Sequence, residues 1–301
     1  MKKDEILKKL KEAGIERAFG VPISKLSKKD ILEVYEQHED GLPRHLSPSQ
    51  IEMYRRCSMQ YFYRYIQKMV KPPRAAMTLG SSVDAAVNAY YQTKLEKGSE
   101  EPLSVLIDVF MESLREREQE TEWNEPLVLI ESDGLQLVKE HRETLAPSTE
   151  PIEIQKELVV EFTDQPFTFL GYADLIASRS GIKQIIDLKV TGSSISEDVA
   201  QYHPQLTAYH AAQAATGETI GVVALDVCVR PKKTKMWPQC QTIVGSRTPA
   251  DDNRYWKTVR VIYDAIKAGI FYPAPRAIGN RSNWVCTPQY CGYFQICHEQ
   301  F

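Results

Sequence analysis

The chain has no segment apolar enough to cross a bilayer: its longest apolar run, Ile220 to Val229, is broken by Asp226 and is too short. Its opening residues, Met1-Lys2-Lys3-Asp4-Glu5, lead into a charged helix with no apolar stretch behind it, which speaks against a secretory signal. These absences predict a soluble cytoplasmic protein with reduced thiols. Its six cysteines should then serve metal chemistry or burial rather than disulfides. Internal repeats and low-complexity tracts are also missing. So is any excess of positive charge, since the net charge is −3, which taken as an average argues against a nucleic-acid binder.

The average conceals how the charge is distributed. From Arg55 to Arg74 six basic residues (Arg55, Arg56, Arg64, Lys68, Lys71, Arg74) stand without an acidic one. From Val227 to Ala250 there are five more (Arg230, Lys232, Lys233, Lys235, Arg247), again without an acid, while negative charge concentrates between Glu100 and Glu157. Such segregation suits a basic channel on an otherwise acidic body, or equally two solvated basic surfaces.

With 43% hydrophobic and 26% charged residues, 301 residues can bury a sizeable core in one large domain or two ordinary ones. Residues 1–44 read as a helical extension: Ile6, Leu7 and Leu10 form an apolar stripe, and Ser27 can cap a second helix through Ile31. Two short Lys-rich helices about a Gly20-Val21-Pro22 turn are similar to a SAP or LEM helical hairpin, and a packing arm is the alternative. Gly41-Leu42-Pro43 reads as a linker. Ser47 or Ser49 then caps a helix with Ile51, Tyr54, Tyr61, Phe62 and Tyr65 on one face, ended by Pro72-Pro73. Gly80 with Ser81 or Ser82 opens another helix, and Leu103–Arg117 and Leu127–Leu145 are two more.

After Pro151 the pattern changes to alternation, with strands expected over 152–162, 167–177 and 182–190. A helix from about Ser196 to Ala215 and a strand from Thr219 to Val229 follow. This order predicts an α/β fold with a mixed central sheet flanked by helices.

Chemistry is densest on the second and third strands. Alternation along Ile185-Ile186-Asp187-Leu188-Lys189-Val190 puts Asp187 and Lys189 on one face. If a turn at 178–181 sets Ala177 against Ile182, Asp174 lies across from Ile185, one diagonal step from Asp187. Two carboxylates so close repel each other unless a cation stands between them, and hard oxygen ligands suit magnesium or manganese. Such an ion binds a phosphate oxygen and lowers the pKa of a bound water. Lys189 could then orient that water or offset charge at phosphorus, which describes phosphodiester hydrolysis.

Gly171-Tyr172-Ala173-Asp174 followed by Ile186-Asp187-Leu188-Lys189 resembles the split motif of PD-(D/E)XK nucleases, in particular the RecB-like exonucleases. The resemblance implies a restriction-endonuclease-like core over residues 45–301, with Asp174 and Asp187 as metal ligands and Lys189 as the catalytic lysine. Gln205 and Tyr209, with Gln201 one turn earlier, correspond to that family's Gln-x-x-x-Tyr helix, which supports the site and contacts DNA. Where the family places a metal-binding histidine after Gly-x-x-x, this chain has Asp84 in Gly80-Ser81-Ser82-Val83-Asp84. Aspartate can keep the role of ligand, or can be a helix-start residue near the macrodipole.

Cys286, Cys291 and Cys297 fall within twelve residues rich in Pro, Gly and aromatics, a poor helix and a good metal loop, with Cys57 as candidate fourth ligand. The resemblance extends to relatives in which one such helix cysteine joins three C-terminal ones on a 4Fe-4S cluster, among them the AddB nuclease domain and the CRISPR-associated adaptation nucleases. Four thiolates could equally hold zinc. Cys228 is expected to be a buried structural thiol, Cys240 has no partner pattern, and His298 is expected to be exposed.

Together these readings imply a Mg- or Mn-dependent DNA exonuclease or flap-type endonuclease acting on single strands or free ends. The setting implied is recombination, repair or replication, and a helicase or recombination protein as partner is left open. Arg55, Arg56, Arg64, Lys232 and Lys233 would follow the phosphate backbone, with Tyr61, Tyr63 and Trp237 as stacking candidates. The rival readings are a catalytically silent iron–sulfur or zinc DNA-binding subunit, and a zinc scaffold with no DNA role.

Overall fold

The computed structural model describes residues 3–12, 17–18, 21–22, 24, 31, 42–218, 220–232, 237–279 and 281–300. The chain divides into two compact units: Met1–Lys71 with Glu161–Phe169 and Thr258–Phe301, and Pro72–Val160 with Leu170–Lys257. Among the described residues no helix is long and apolar enough to cross a membrane.

In the first unit, α1 (Lys3–Glu12) buries Ile6, and β1 (Arg17–Ala18) pairs with β2 (Val21–Pro22). Most of the helix expected from Ser27 lies outside the described residues. β3 (His45–Leu46) forms a parallel ladder with Thr168–Phe169. Ser47 is the cap that starts α2 (Pro48–Arg56): its Oγ accepts from the Gln50 amide at 3.3 Å, and its own amide donates to Gln50 Oε1 at 2.7 Å. The single helix expected as far as Tyr65 is instead interrupted at Cys57, whose extended backbone ends α2 and opens α3 (Ser58–Tyr61), followed by a wider π turn at Phe62–Ile66.

The second unit opens with three helices, α4 (Ala75–Lys97), α5 (Leu103–Arg117) and α6 (Leu127–Thr144). α4 begins at Ala75, before the expected start at Gly80, so Asp84 sits well inside the helix and not at its macrodipole end. The strands are β4 (Glu150–Glu161), β5 (Thr168–Arg179), β6 (Ile182–Thr191), β7 (Val222–Val229) and β8 (Gln239–Ser246). β5 and β6 are antiparallel, β6 and β7 parallel, and β7 and β8 antiparallel, with β4 on β5, so the sheet is mixed as expected. The parallel step from β6 to β7 needs a crossover, made by α7 (Val199–Tyr202) and α8 (Pro204–Ala215). The one helix expected over 196–215 is split because Pro204 holds His203 extended (φ −65°, ψ 119°).

One sheet face, bearing Leu175, Ala177, Ile186 and Ala224, packs on Leu79, Val83, Phe110 and Leu137 from the three helices. A charged residue on this face is Asp226, only 2% exposed. Arg179 forks onto it through Nη1 (2.8 Å) and Nη2 (2.5 Å), and Thr242 Oγ1 donates at 2.8 Å. Burial opposes the charge of Asp226, but the hydrogen bonds of Arg179 and then the nearby His141 imidazole, its Nε2 3.9 Å away, outweigh it and hold the carboxyl at about 2.

Two expectations are corrected here. The β5–β6 turn is the two-residue Ser180-Gly181, both with positive φ (51° and 77°), as a tight hairpin requires. Ala177 therefore faces Gln184, not Ile182, and Leu175 faces Ile186. A shift of two leaves every paired side chain on its predicted face, and the ladder ends at Leu175–Ile186, with Asp174 and Asp187 the next residue on each strand. Cys228 and Cys240 also face each other across β7–β8 and form a disulfide, with Cα atoms 4.2 Å apart. Neither is the free thiol that was expected.

Candidate active site

Asp187, Lys189, Asp174 and Asp84 lie together in the second unit. Asp187 is fully buried and neither carboxylate oxygen has a hydrogen-bond partner; the ammonium of Lys189, 2.6 Å from Oδ2, meets its charge. Lys189 Nζ also donates to Gln205 Oε1 at 2.8 Å, and Gln205 Nε2 donates to the Tyr209 hydroxyl at 2.5 Å. One face of α8 thus orients the lysine. On β5, Asp174 Oδ2 accepts the amide of Leu188 at 3.2 Å, which fixes its carboxylate beside the Asp187-x-Lys189 strand.

Electrostatics ties these groups together. Burial and then the charges of Asp187 and Asp84 push Asp174 up to about 8, against the opposing pull of Lys189 and the Leu188 amide. Burial and then Asp187 push Asp84 up to about 6, although Asn88 Nδ2 donates to its Oδ2 at 2.9 Å. Three neighbouring carboxylates, one with both oxygens lacking hydrogen bonds, fit a hard divalent cation as donor set. Among the described residues no three His, Cys, Asp or Glu side chains converge on a single-ion site. The carboxylates are neighbours in charge, not an assembled cage.

His203 belongs to this neighbourhood although the sequence reading passed over it. Burial lowers its pKa while the charge of Asp187 raises it, and its Nδ1 is buried without a hydrogen-bond partner. The signal was a His-Pro pair just before Gln205 at the start of a helix. Gln201, grouped by spacing with Gln205 and Tyr209, is instead engaged with Ser246, whose amide donates to its Oε1 at 3.0 Å.

Folding engages two arginines of the second basic stretch internally. Arg230 is bound to Glu125 (2.9 Å) and Asp133 (2.8 Å), and Arg247 is only 6% exposed. Lys232 is exposed, and Lys233 lies outside the described residues. In the first unit, exposed Arg55 pairs with Glu52 at 2.6 Å, exposed Arg56 donates to Gln60 at 3.3 Å, and Arg64 stands 5.7 Å from the Tyr65 ring centre. Tyr61 and Tyr63 are core residues and not stacking platforms, whereas Trp237 is 75% exposed.

Also in the first unit, Cys57, Cys286, Cys291 and Cys297 are free thiols lining one cavity of about 250 Å³. The break after α2 aims Cys57 into it, and Cys57 Sγ accepts the Ala274 amide at 3.3 Å. Burial, then neighbouring sulfurs led by Cys57, raises the pKa of Cys286 and Cys297. The sulfurs share this lining with Met59, Tyr63 and Tyr293. The donors fit a soft-metal group that fills such a space. His298, exposed as expected, lies at its rim beside Arg276, its Nδ1 2.5 Å from Nη2.

A family model described as the PD-(D/E)XK nuclease superfamily matches residues 45–298, most of the chain. No curated protein matches it. The mixed sheet flanked by helices agrees with the restriction-endonuclease-like core of that superfamily.

Proposed function

The chain belongs to the PD-(D/E)XK nuclease superfamily, and from this premise we propose that it is a Mg- or Mn-dependent deoxyribonuclease of the RecB-like branch, an exonuclease acting on single strands or free ends. The observation that carries this reading is the chain of contacts from Asp187 through Lys189 and Gln205 to Tyr209, set beside Asp174 and Asp84.

Asp174, Asp187 and Asp84 are the residues that would hold the cation. When bound there, a divalent ion neutralises phosphate oxygens and makes a water nucleophilic near neutral pH. Lys189 is 31% exposed at its side chain while buried Asp187 anchors it, so its ammonium can reach a phosphate and keep its orientation. It offsets the negative charge that grows on the phosphoryl oxygens as water attacks phosphorus and the bond to the leaving sugar oxygen breaks. Gln205 and Tyr209 set the angle of Lys189. Exposed Lys232 and Trp237, with Arg55, Arg56 and Arg64, are the proposed contacts to phosphates and bases.

The four cysteines are proposed to hold a 4Fe-4S cluster. Four sulfurs lining one cavity of about 250 Å³ support a group shared by all four.

The test is degradation of end-labelled single- and double-stranded DNA with magnesium or manganese, comparing wild type with Lys189→Ala. Metal-dependent cleavage from ends, reduced about a thousandfold in the variant, is expected. Binding without cleavage by the wild type would overturn the catalytic reading in favour of a silent DNA-binding subunit.

A further inference from the structure

α7 and the start of α8, which bring His203 and Gln205 to the active site, are fastened to the end of β8 by three contacts of different kinds, two on α7 and the third on both helices. The first is backbone on backbone: a Cβ at Gly245 would stand 2.8 Å from the Ala200 carbonyl carbon and the Gln201 nitrogen. The second is Gln201, whose amide brackets Ser246, accepting from its nitrogen at 3.0 Å and donating to its carbonyl at 3.3 Å. The third is Arg247. Its Nη2 donates to the carbonyls of Ala200 (2.9 Å) and His203 (3.0 Å), its Nη1 to Ser246 O (2.8 Å), and its Nε to Thr207 Oγ1 (2.7 Å).

A guanidinium 6% exposed is costly to bury, and burial lowers the pKa of Arg247 against the distant charges of Asp251 and Asp252. Its donors go to the carbonyls of Ala200 and His203, the hydroxyl of Thr207, and the carbonyl of its own neighbour Ser246. For stability alone an apolar side chain of similar size would serve as well. A rigid planar fork reaching residues 200, 203 and 207 holds both sides of the His203–Pro204 break, which a hydrophobic contact cannot do.

We propose that Arg247, seated by Gly245 and Ser246, is a positioning residue of the active site, setting the entry of α8 so that Gln205 meets Lys189 and His203 stands beside Asp187. This rests on the reading of Lys189 as the catalytic lysine. The guanidinium touches neither Lys189 nor Asp187 and acts through the helix. Misplacement by about 1 Å can cost on the order of a hundredfold in rate, so the expected effect is on turnover and not on DNA affinity.

Arg247→Met keeps the length and removes the donors. It is expected to lower kcat about tenfold or more with KM for DNA within about twofold, and Gln205→Ala should do the same. Because both act on one lysine, the double variant should be no slower than the slower single by more than about twofold. Losses that multiply, or an unchanged kcat in Arg247→Met, would overturn the proposal. Hydrogen exchange gives a second readout free of activity: amides of 203–209 should lose protection in Arg247→Met while those of β5 and β6 keep theirs, and a uniform loss would reduce Arg247 to a general stabiliser. If Arg247→Met does not fold, Thr207→Val removes the Nε partner alone and should lower kcat severalfold at unchanged KM; an unchanged kcat there counts against the clamp. A wild type that cuts no DNA defeats the catalytic reading, and the exchange experiment still decides whether Arg247 holds α8.

Discussion

Buried Asp187 sets the character of its neighbours. After burial itself, its charge is the largest cause that pushes Asp174 up to about 8 and Asp84 up to about 6. Unfolded, an aspartate ionises near pH 3.9 or so, and both folded values lie above that. The folded state therefore binds more protons than the unfolded one across the interval. The stability these groups supply is full below about pH 4 and declines as pH rises through about 6 and then about 8. The metal-free protein should melt at a lower temperature near about pH 8.5 than near about pH 5, with added magnesium or manganese restoring the loss. In Asp187→Asn the drop should shrink, and calorimetry at the two pH values checks this. A pH slope unaltered by the substitution would show that other groups cause it.

Between elements, Gly134 of α6 lies against Phe110 of α5, where a Cβ would overlap the ring. Gly134→Ala is expected to cost about 1–3 kcal/mol, read as a lower urea midpoint at unchanged slope. The disulfide between β7 and β8 closes a short loop, and Cys240→Ser should cost about 2–3 kcal/mol without loss of nuclease activity. A reductant should produce the same shift in melting temperature in the wild type and none in the variant. At this scale the sequence was legible wherever one period ran unbroken: Leu103–Arg117 stands as expected, and the strands fall within a few residues of their predicted spans. It misled where one backbone unit broke the period, at Cys57 and at His203–Pro204, because apolar spacing continues across a break that depends on local dihedral angles.

Over the whole molecule, the chain is assembled from segments far apart in sequence. The first unit joins residues before Lys71 to those after Thr258, and Cys57 shares its cavity with three cysteines more than two hundred positions away. A group bound by all four ties the ends of the chain together. Cys291→Ser is therefore expected to lose the visible absorbance of the cluster and to melt earlier, with proteolysis beginning in 272–300. Stoichiometric zinc in a colourless wild-type protein would replace the cluster with a zinc site. A colourless, metal-free protein of unchanged stability would leave the four cysteines without that role.

The sequence by itself determined the mixed sheet between helices, the common face of Asp187 and Lys189, and the candidate standing of Asp174, Gln205, Tyr209 and the four cysteines. All of these follow from short-range periodicity or from motifs a few residues long. Only the tertiary structure decided the register that pairs Leu175 with Ile186 next to Asp174 and Asp187, the pairing of Cys228 with Cys240, and the approach of Asp84 and His203 to one carboxylate. It also decided that Arg230 and Arg247 are consumed inside the protein. The reason is physical: side-chain alternation survives a shift of two residues, so the pattern names a face without naming a partner. A charge written in the sequence, likewise, does not say whether solvent, a carboxylate or a carbonyl will meet it.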